Sequence, residues 1–125
     1  MPTLNEAMCR IADLGNTKGW GKEIDTKIYY AMIELAEGGA AWKHRGDPGY
    51  LMDELGITID ELPEYIGEEL IDTIFYCLHA FYCLGLTNAD AMFEYKMNKN
   101  IKRSRVYVDD ELCLGLTQGS NLNTR

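Results

Sequence analysis

Two short carboxylate motifs, Glu34-Leu-Ala-Glu37 and Glu69-Leu-Ile-Asp72, contain the residues of this chain best suited to chemistry. Side chains three positions apart lie on the same side of a helix, so each motif directs two carboxylates at one patch. If the two helices pack face to face, four oxygen ligands meet, and like charges that close need a cation to stay ionised. Oxygen ligands without a nearby Cys or His favour Mg²⁺, with Mn²⁺ as a substitute. The motifs therefore predict a Mg²⁺ site formed by Glu34, Glu37, Glu69 and Asp72.

The neighbours of these motifs decide between a metal site and a solvated helix face. A single acidic pair at positions i and i+3 is more often just a solvated face. Here both pairs stand among residues typical of a core, such as Ile33 and Leu70, where charged groups are expected to be paired or to hold a metal. Glu68 adds a fifth carboxylate beside the second motif.

A basic cluster near the C-terminal end forms the second chemical signal. Five of the twelve Lys and Arg residues lie between Lys96 and Arg105. Lys96, Asn100 and Arg103 are spaced i, i+4 and i+7, so they share one helix face. Lys and Arg suit phosphate oxygens. Cations near a helix C-terminus are also favoured by the helix dipole, so this cluster is unspecific when taken alone.

Capping and breaker residues delimit the helices that must position these side chains. Thr3-Leu-Asn-Glu6 and Thr58-Ile-Asp-Glu61 match the capping box, and Gly46-Asp47-Pro48-Gly49 is a strong stop. The predicted helices run from Thr3 to Gly15, from about Glu23 to Arg45, from after Thr58 to about Leu84 and from Thr87 to near Arg105, with a loop at 16–21 and one or two helical turns at 50–56.

The predicted fold is all-α: an antiparallel helical hairpin with flanking helices, whose four-helix-bundle-like core is completed by oligomerisation. Apolar residues follow helical spacing along the second helix at Ile24, Ile28, Ala31, Leu35 and Trp42. A two-helix hairpin with short flanks leaves an apolar side uncovered, so we expect a homodimer or a dimer of dimers. The predicted domain covers residues 1–107, and residues 108–125 are predicted to be a C-terminal arm or a disordered tail.

Length, charge and cysteine content limit the classes of function. The 125 residues indicate one domain, and the net charge of −8 argues against binding a nucleic-acid polymer. A nucleotide is not excluded, because a divalent cation reverses the local sign of charge. Four cysteines without a zinc-finger spacing, no signal-like N-terminus and no membrane-length apolar run predict a soluble cytoplasmic protein without membrane contact.

The motifs, in this order, resemble those of the MazG-like nucleoside triphosphate pyrophosphohydrolases, part of an all-α superfamily that includes dimeric dUTPases. That family has E-x-x-E followed by E-x-x-D, as at Glu34/Glu37 and Glu69/Asp72. Its K-G-[FW] segment is matched by Lys18-Gly19-Trp20, and its closing K-M-x-x-N-x-x-R by residues 96–103. The resemblance covers roughly residues 15–107. This chain departs from the family in a longer stretch around residues 46–59 and in lacking the usual His-Gly after the closing Arg.

The resemblance implies hydrolysis of an NTP or dNTP to the monophosphate and pyrophosphate. In that interpretation the four carboxylates hold Mg²⁺, which neutralises the triphosphate and activates a water for attack on the α-phosphorus. Either Glu37 or Glu68 takes the proton from this water, and the sequence does not choose between them. The substrate-binding residues implied by the resemblance are Lys18, Lys96, Asn100 and Arg103 for phosphate or sugar and Trp20 for stacking on the base.

Two other interpretations remain open at this point. One is a dUTPase-like enzyme selective for uracil nucleotides. The other is a helical protein that binds a nucleotide or a partner without turnover, which the intact carboxylate motifs disfavour. The absence of any Glu-x-x-His sequence disfavours a di-iron carboxylate bundle. His79, Tyr30 and Tyr76 are interpreted as packing or interface residues.

Overall fold

The computed structural model describes residues 1–103, and the predicted all-α class is confirmed for them. They form helices and connecting loops without a strand. None of these helices has the length and hydropathy needed to span a bilayer. The helices are α1 (Leu4–Lys18), α2 (Ile24–Lys43), α3 (Pro48–Tyr50, followed by a π-helical turn at Leu51–Leu55), α4 (Leu62–Cys83, preceded by a 3₁₀ turn at Ile59–Glu61) and α5 (Ala89–Lys102).

Helix α1 begins where its capping box predicts but ends later. The Thr3 hydroxyl accepts a hydrogen bond from the backbone N–H of Glu6 at 3.1 Å, and the Glu6 carboxylate accepts one from the N–H of Thr3 at 2.8 Å. The prediction that Gly15 ends the helix is wrong, because the helix continues to Lys18 and Gly19 provides the left-handed cap, with φ of 72°. The predicted loop at 16–21 is correspondingly shorter.

Two side chains pack so closely against Gly15 that a larger residue would not fit there. A Cβ atom there would lie 3.0 Å from Cε1 of His79 and 3.0 Å from Cε3 of Trp20. Gly15 is therefore a buried packing position inside the helix, where a sequence pattern shows only a helix breaker.

Helices α2 and α4 form the predicted hairpin and are antiparallel. Tyr30 meets Tyr76, Glu34 interacts with Asp72, and Gly38 faces Glu69, so positions rise along one helix as they fall along the other. Helix α2 runs unbroken through its two central glycines. A Cβ on Gly38 would be 3.4 Å from Cβ of Glu69, so this glycine allows the helices to approach closely.

Two small apolar clusters hold the two ends of this hairpin. At one end, Met8 and Ile11 of α1 pack with Leu78 of α4 and with Ala89. At the other end, the buried residues are Ala41, Leu51 and Leu62. The carboxylate motifs lie between these clusters along α2 and α4, where the helix pair has no large apolar core.

Much of the predicted apolar face of α2 is exposed in the single chain. Of the five residues that define it by spacing, only Ala31 is buried, while Ile28, Leu35 and Trp42 are 50–57% exposed. The corresponding residues Leu70 and Ile74 of α4 are also about half exposed. The core of one chain is therefore smaller than the apolar pattern indicates.

The start of α5 is fixed to the start of α1. The side-chain oxygen of Asn5 accepts hydrogen bonds from the N–H groups of Ala89 (2.6 Å) and Asp90 (3.2 Å), and the Asp90 carboxylate accepts one from the N–H of Leu4 (2.9 Å). The chain divides into a compact unit of residues 1–90 and a second unit that begins at Ala91, within α5. The predicted tail, residues 108–125, lies outside the described residues.

Candidate metal centre and adjoining cavity

Three of the four predicted ligands bring a carboxylate oxygen to one place. Oxygens of Glu34 and Glu37 on α2 and of Glu69 on α4 all lie within 4.8 Å of one another. Two oxygens bound to one Mg²⁺ at 2.0–2.1 Å are at most about 4.2 Å apart, so a small side-chain adjustment would suit a single ion. The all-oxygen donor set is the kind that a hard divalent cation prefers.

Glu69 is the member of this group whose charge is least compensated by the protein. Its Oε1 atom is buried without a hydrogen-bond partner among the described residues. Burial, the neighbouring Glu34, with which it can share a proton, and the charges of Glu37 and Asp72 raise the pKa of Glu69 to about 7. Two carboxyl groups can share a hydrogen bond only while one of them carries a proton, so at higher pH the buried oxygen requires a cation.

Asp72, the fourth predicted ligand, lies near the cluster but outside the group of three converging oxygens. The residue as a whole is exposed. Even so, partial burial of its carboxyl group and the proximity of Glu34 raise its pKa. Asp72 therefore belongs to the same electrostatic environment, one turn further along α4 than Glu69.

The two candidates for the general base differ in position. Glu37 is exposed and belongs to the converging group. Glu68 is exposed as well, but it lines a separate shallow depression together with Glu64, Gly67, Ile71 and Asp72.

A cavity of about 420 Å³ adjoins the carboxylate cluster within residues 1–90. Its size lies within the range usual for small-molecule sites. Glu34 and Asp72 line the cavity, and Glu34 also belongs to the cluster. The remaining lining residues come from α1, the 19–23 loop, α2 and α4: Ile11, Trp20, Gly21, Glu23, Thr26, Lys27, Tyr30, Phe75, Tyr76 and His79.

Aromatic rings form a large part of the cavity wall. The Trp20 ring packs tilted against His79, with centroids 5.7 Å apart, and Tyr30 packs against Tyr76 at 5.6 Å. Trp20 is 43% exposed and its backbone N–H donates to the carbonyl of Gly15 at 2.8 Å. The predicted stacking residue thus lies at the cavity, held by the end of α1.

Two buried polar side chains of this cavity, Lys27 and His79, were not predicted as site residues. Lys27 is 6% exposed and its Nζ donates a hydrogen bond to the carbonyl of Gly21 at 2.5 Å. His79 is 7% exposed, and burial together with the charges of Lys27 and Lys22 lowers its pKa, so the ring is neutral at neutral pH. The packing role expected for His79 is present, against Trp20 and Gly15.

Helical spacing does contain a signal for these residues. Lys27 lies seven positions before Glu34, two helical turns away on the same face of α2. Tyr76 and His79 likewise follow Asp72 at positions i+4 and i+7 on α4. The faces that carry the carboxylates continue into the cavity.

The remaining predicted substrate-binding residues lie at the end of α1 and in the unit that begins at Ala91. Lys18 is the last residue of α1 and is exposed. Lys96 and Asn100 are exposed on the part of α5 that belongs to the second unit. Arg103 follows this helix, and its N–H donates to the carbonyl of Asn100 at 3.2 Å.

Comparisons of the chain with protein families, with curated proteins and with solved structures found no match.

Proposed function

We propose that this protein is a Mg²⁺-dependent nucleoside triphosphate pyrophosphohydrolase that converts a (d)NTP to the (d)NMP and pyrophosphate. The observation that carries the proposal is the convergence of Glu34, Glu37 and Glu69 beside an aromatic cavity that shares Glu34. A cation site next to a cavity lined by aromatic rings suits a ligand with a charged phosphate chain at one end and an aromatic ring at the other. The motif order described above supports the same class.

The carboxylates have two roles in this proposal: they hold the metal, and one of them accepts a proton. Glu34, Glu37 and Glu69, whose oxygens converge, would hold the metal, and Asp72 would be the fourth ligand. Bound Mg²⁺ supplies Lewis-acid chemistry and offsets the charge of the triphosphate. Glu37 is the exposed member of the converging group, so we propose that its carboxylate also acts as the general base that takes the proton of the attacking water.

Phosphate charge also needs donors from the protein. Lys96 and Asn100 on α5 and Arg103 directly after this helix supply cationic and amide donors, and in this proposal they bind the phosphate chain or the sugar. Lys18, at the end of α1, is a further candidate for phosphate. Trp20 covers the base.

Self-association is part of the proposal. Ile28 and Leu35 of α2 and Ile71 and Phe75 of α4 are 43–51% exposed, more apolar surface than an isolated helical hairpin usually presents to water. A second copy of the chain would cover this surface, giving a homodimer or a dimer of dimers.

Identification of the products tests the reaction class. Phosphorus NMR of a dNTP incubated with protein and Mg²⁺ should show the monophosphate and pyrophosphate, because the attack is at the α-phosphorus. A diphosphate with free phosphate would place the attack at the γ-phosphorus and contradict the proposal.

A further inference from the structure

Among the described residues, Lys27 is the one cation of the cavity wall, and the proposed hydrolysis leaves it without a role. Its ammonium group carries three protons. One is donated to the carbonyl of Gly21, and Nζ makes no second hydrogen bond to the described residues. A buried donor without an acceptor costs free energy, so the unused protons indicate a ligand that brings acceptors into the cavity.

The remaining walls define the shape of that ligand. Trp20, Tyr30, Phe75 and Tyr76 line the same cavity as Lys27 and contribute aromatic rings to its wall. Flat rings favour a planar aromatic ligand that stacks or packs edge-on against them. A planar ring with a hydrogen-bond acceptor at its edge is a nucleobase.

The position of Lys27 relative to the carboxylates assigns it to the base rather than to phosphate. Lys27 precedes Glu34 by seven residues, which is about 10 Å along the helix axis at 1.5 Å per residue. In a nucleotide whose phosphates lie at the carboxylate cluster, the sugar separates the base from the phosphates. The base therefore lies toward the Lys27 end of the cavity.

We propose that Lys27 selects the base by its exocyclic group, donating a hydrogen bond to an oxo oxygen at C6 of a purine or C4 of a pyrimidine. The inference rests on the proposed function and specifies its substrate class. Guanine, hypoxanthine, uracil and thymine carry an oxo acceptor at this position, whereas adenine and cytosine carry an amino donor. An ammonium group cannot accept a hydrogen bond, so an amino group facing it leaves both groups without a partner.

This selection distinguishes a deaminated base from its parent. Hydrolytic deamination replaces the amino group by an oxo group, with water supplying the oxygen and ammonia leaving. Adenine thereby becomes hypoxanthine and cytosine becomes uracil. Lys27 can donate a hydrogen bond to hypoxanthine and to uracil, but not to the amino groups of adenine and cytosine. Base deamination is therefore the class of reaction that converts disfavoured nucleotides into substrates for this site.

Two matched substrate pairs test the proposal: ITP against ATP, and dUTP against dCTP. The wild-type protein should show a kcat/KM roughly ten- to a hundredfold higher for the oxo member of each pair, the range expected for one hydrogen bond to a charged group. Lys27→Met keeps the apolar stem and should bring both ratios close to one, mainly by loss on the oxo substrates. Lys22→Met is the matched control, because Lys22 is exposed and does not line the cavity, and it should leave the ratios unchanged.

Binding of monophosphates without Mg²⁺ separates this proposal from the hydrolase itself. Calorimetry should show IMP binding more tightly than AMP, with the difference lost in Lys27→Met. If this binding preference is found but no triphosphate is hydrolysed, the proposed hydrolase activity is contradicted and base selection by Lys27 is supported. Turnover without an oxo preference, or equal losses on oxo and amino substrates in Lys27→Met, would overturn base selection and keep the hydrolase.

A second variant covers the case in which Lys27→Met does not fold. Lys27→Gln carries both a donor and an acceptor, so it should serve oxo and amino bases alike and also bring the ratios close to one. Neither turnover nor an IMP preference in the wild-type protein would overturn both proposals.

Discussion

Glu69 and Glu34 face each other across the α2–α4 interface, and Oε1 of Glu69 is buried there without a hydrogen-bond partner among the described residues. The close approach of the helices at Gly38 brings the carboxylates together. Their mutual repulsion and the burial of Glu69 disfavour full ionisation, which is the physical reason to expect a cation between them.

The affinity for Mg²⁺ should increase with pH up to about 7. Because the metal binds the ionised carboxylate, a Glu69 with a pKa of about 7 must first lose its proton at lower pH. The apparent dissociation constant should rise by up to about tenfold for each pH unit below 7. Thermal melts with and without Mg²⁺ at about pH 6 and pH 8 measure this, since the Mg²⁺-induced rise in Tm should be larger at pH 8. An equal rise at both values would contradict it.

Glu69→Gln should stabilise the metal-free protein while it abolishes metal binding. The folded pKa of Glu69 exceeds its ordinary value of 4.5, so the folded state holds an extra proton between about pH 4.5 and 7. The free energy of unfolding of the wild-type protein therefore falls as pH rises through this window. Glutamine cannot ionise, so the variant does not lose this stability. The rise in pKa corresponds to at most roughly 3 kcal/mol, and partial solvent exposure of the site screens the charges, so the gain at pH 8 should be on the order of 1–3 kcal/mol.

Urea unfolding at pH 5 and pH 8, without metal, measures the gain. His79 contributes the opposite slope, because its lowered pKa makes the folded state bind fewer protons below about pH 6.5. The difference between variant and wild type cancels this contribution. Glu68→Gln, at an exposed carboxylate outside the cluster, is the control and should show no comparable gain. A Glu69→Gln protein that is less stable than wild type at pH 8 would show that the ionised Glu69 carboxylate does not destabilise the folded state.

The two central glycines of α2 should respond differently to substitution. A Cβ on Gly39 meets nothing within 4 Å, so Gly39→Ala should raise the free energy of unfolding by about 0.5–1 kcal/mol through helix propensity. Gly38→Val places two methyl groups where Glu69 and Ile66 already lie, which should separate the helices and weaken Mg²⁺ binding. Chemical unfolding and Mg²⁺ titration of both variants measure these effects. Unchanged Mg²⁺ affinity in Gly38→Val would show that the close approach does not set the site.

The sequence predicts those parts of the fold that depend on local chemistry. The capping boxes at Thr3 and Thr58 lie where the residue types indicate, because a cap depends on neighbours within a few positions. The prediction that Gly15 ends α1 is wrong, because its small size allows packing against His79, which is 64 residues away in the chain.

The candidate site was predictable only where charge and spacing coincide. The convergence of Glu34, Glu37 and Glu69 follows from the i, i+3 spacing and the hairpin. Spacing assigns Glu69 as a ligand but leaves the general base open between Glu37 and Glu68, because only the packed helix pair determines which carboxylates converge. Lys27 was missed, since a lone lysine in a helix is ordinarily a solvated residue and its burial depends on the 19–23 loop.

The contribution of α5 gives a further prediction. Lys96→Ala should weaken binding of a triphosphate more than that of a monophosphate, because in our proposal Lys96 stabilises the phosphate chain. Lys102→Ala removes an exposed cation from the same helix at a position roughly 120° around the helix axis from Lys96, and is the matched control. Inhibition by non-hydrolysable triphosphate and by monophosphate gives both affinities. Equal losses for the two ligands would exclude Lys96 from the phosphate site.

Pyrophosphate release from the standard NTPs and dNTPs, together with dUTP and ITP, tests the central claim most directly. It should be measured with Mg²⁺ and with EDTA, for wild type and for Glu69→Gln. We predict Mg²⁺-dependent release by the wild-type protein, with the monophosphate as coproduct, and no release by a folded Glu69→Gln. Release that persists in EDTA or in Glu69→Gln, or a folded wild-type protein that releases none from any substrate, would contradict a hydrolytic metal centre at Glu34, Glu37 and Glu69.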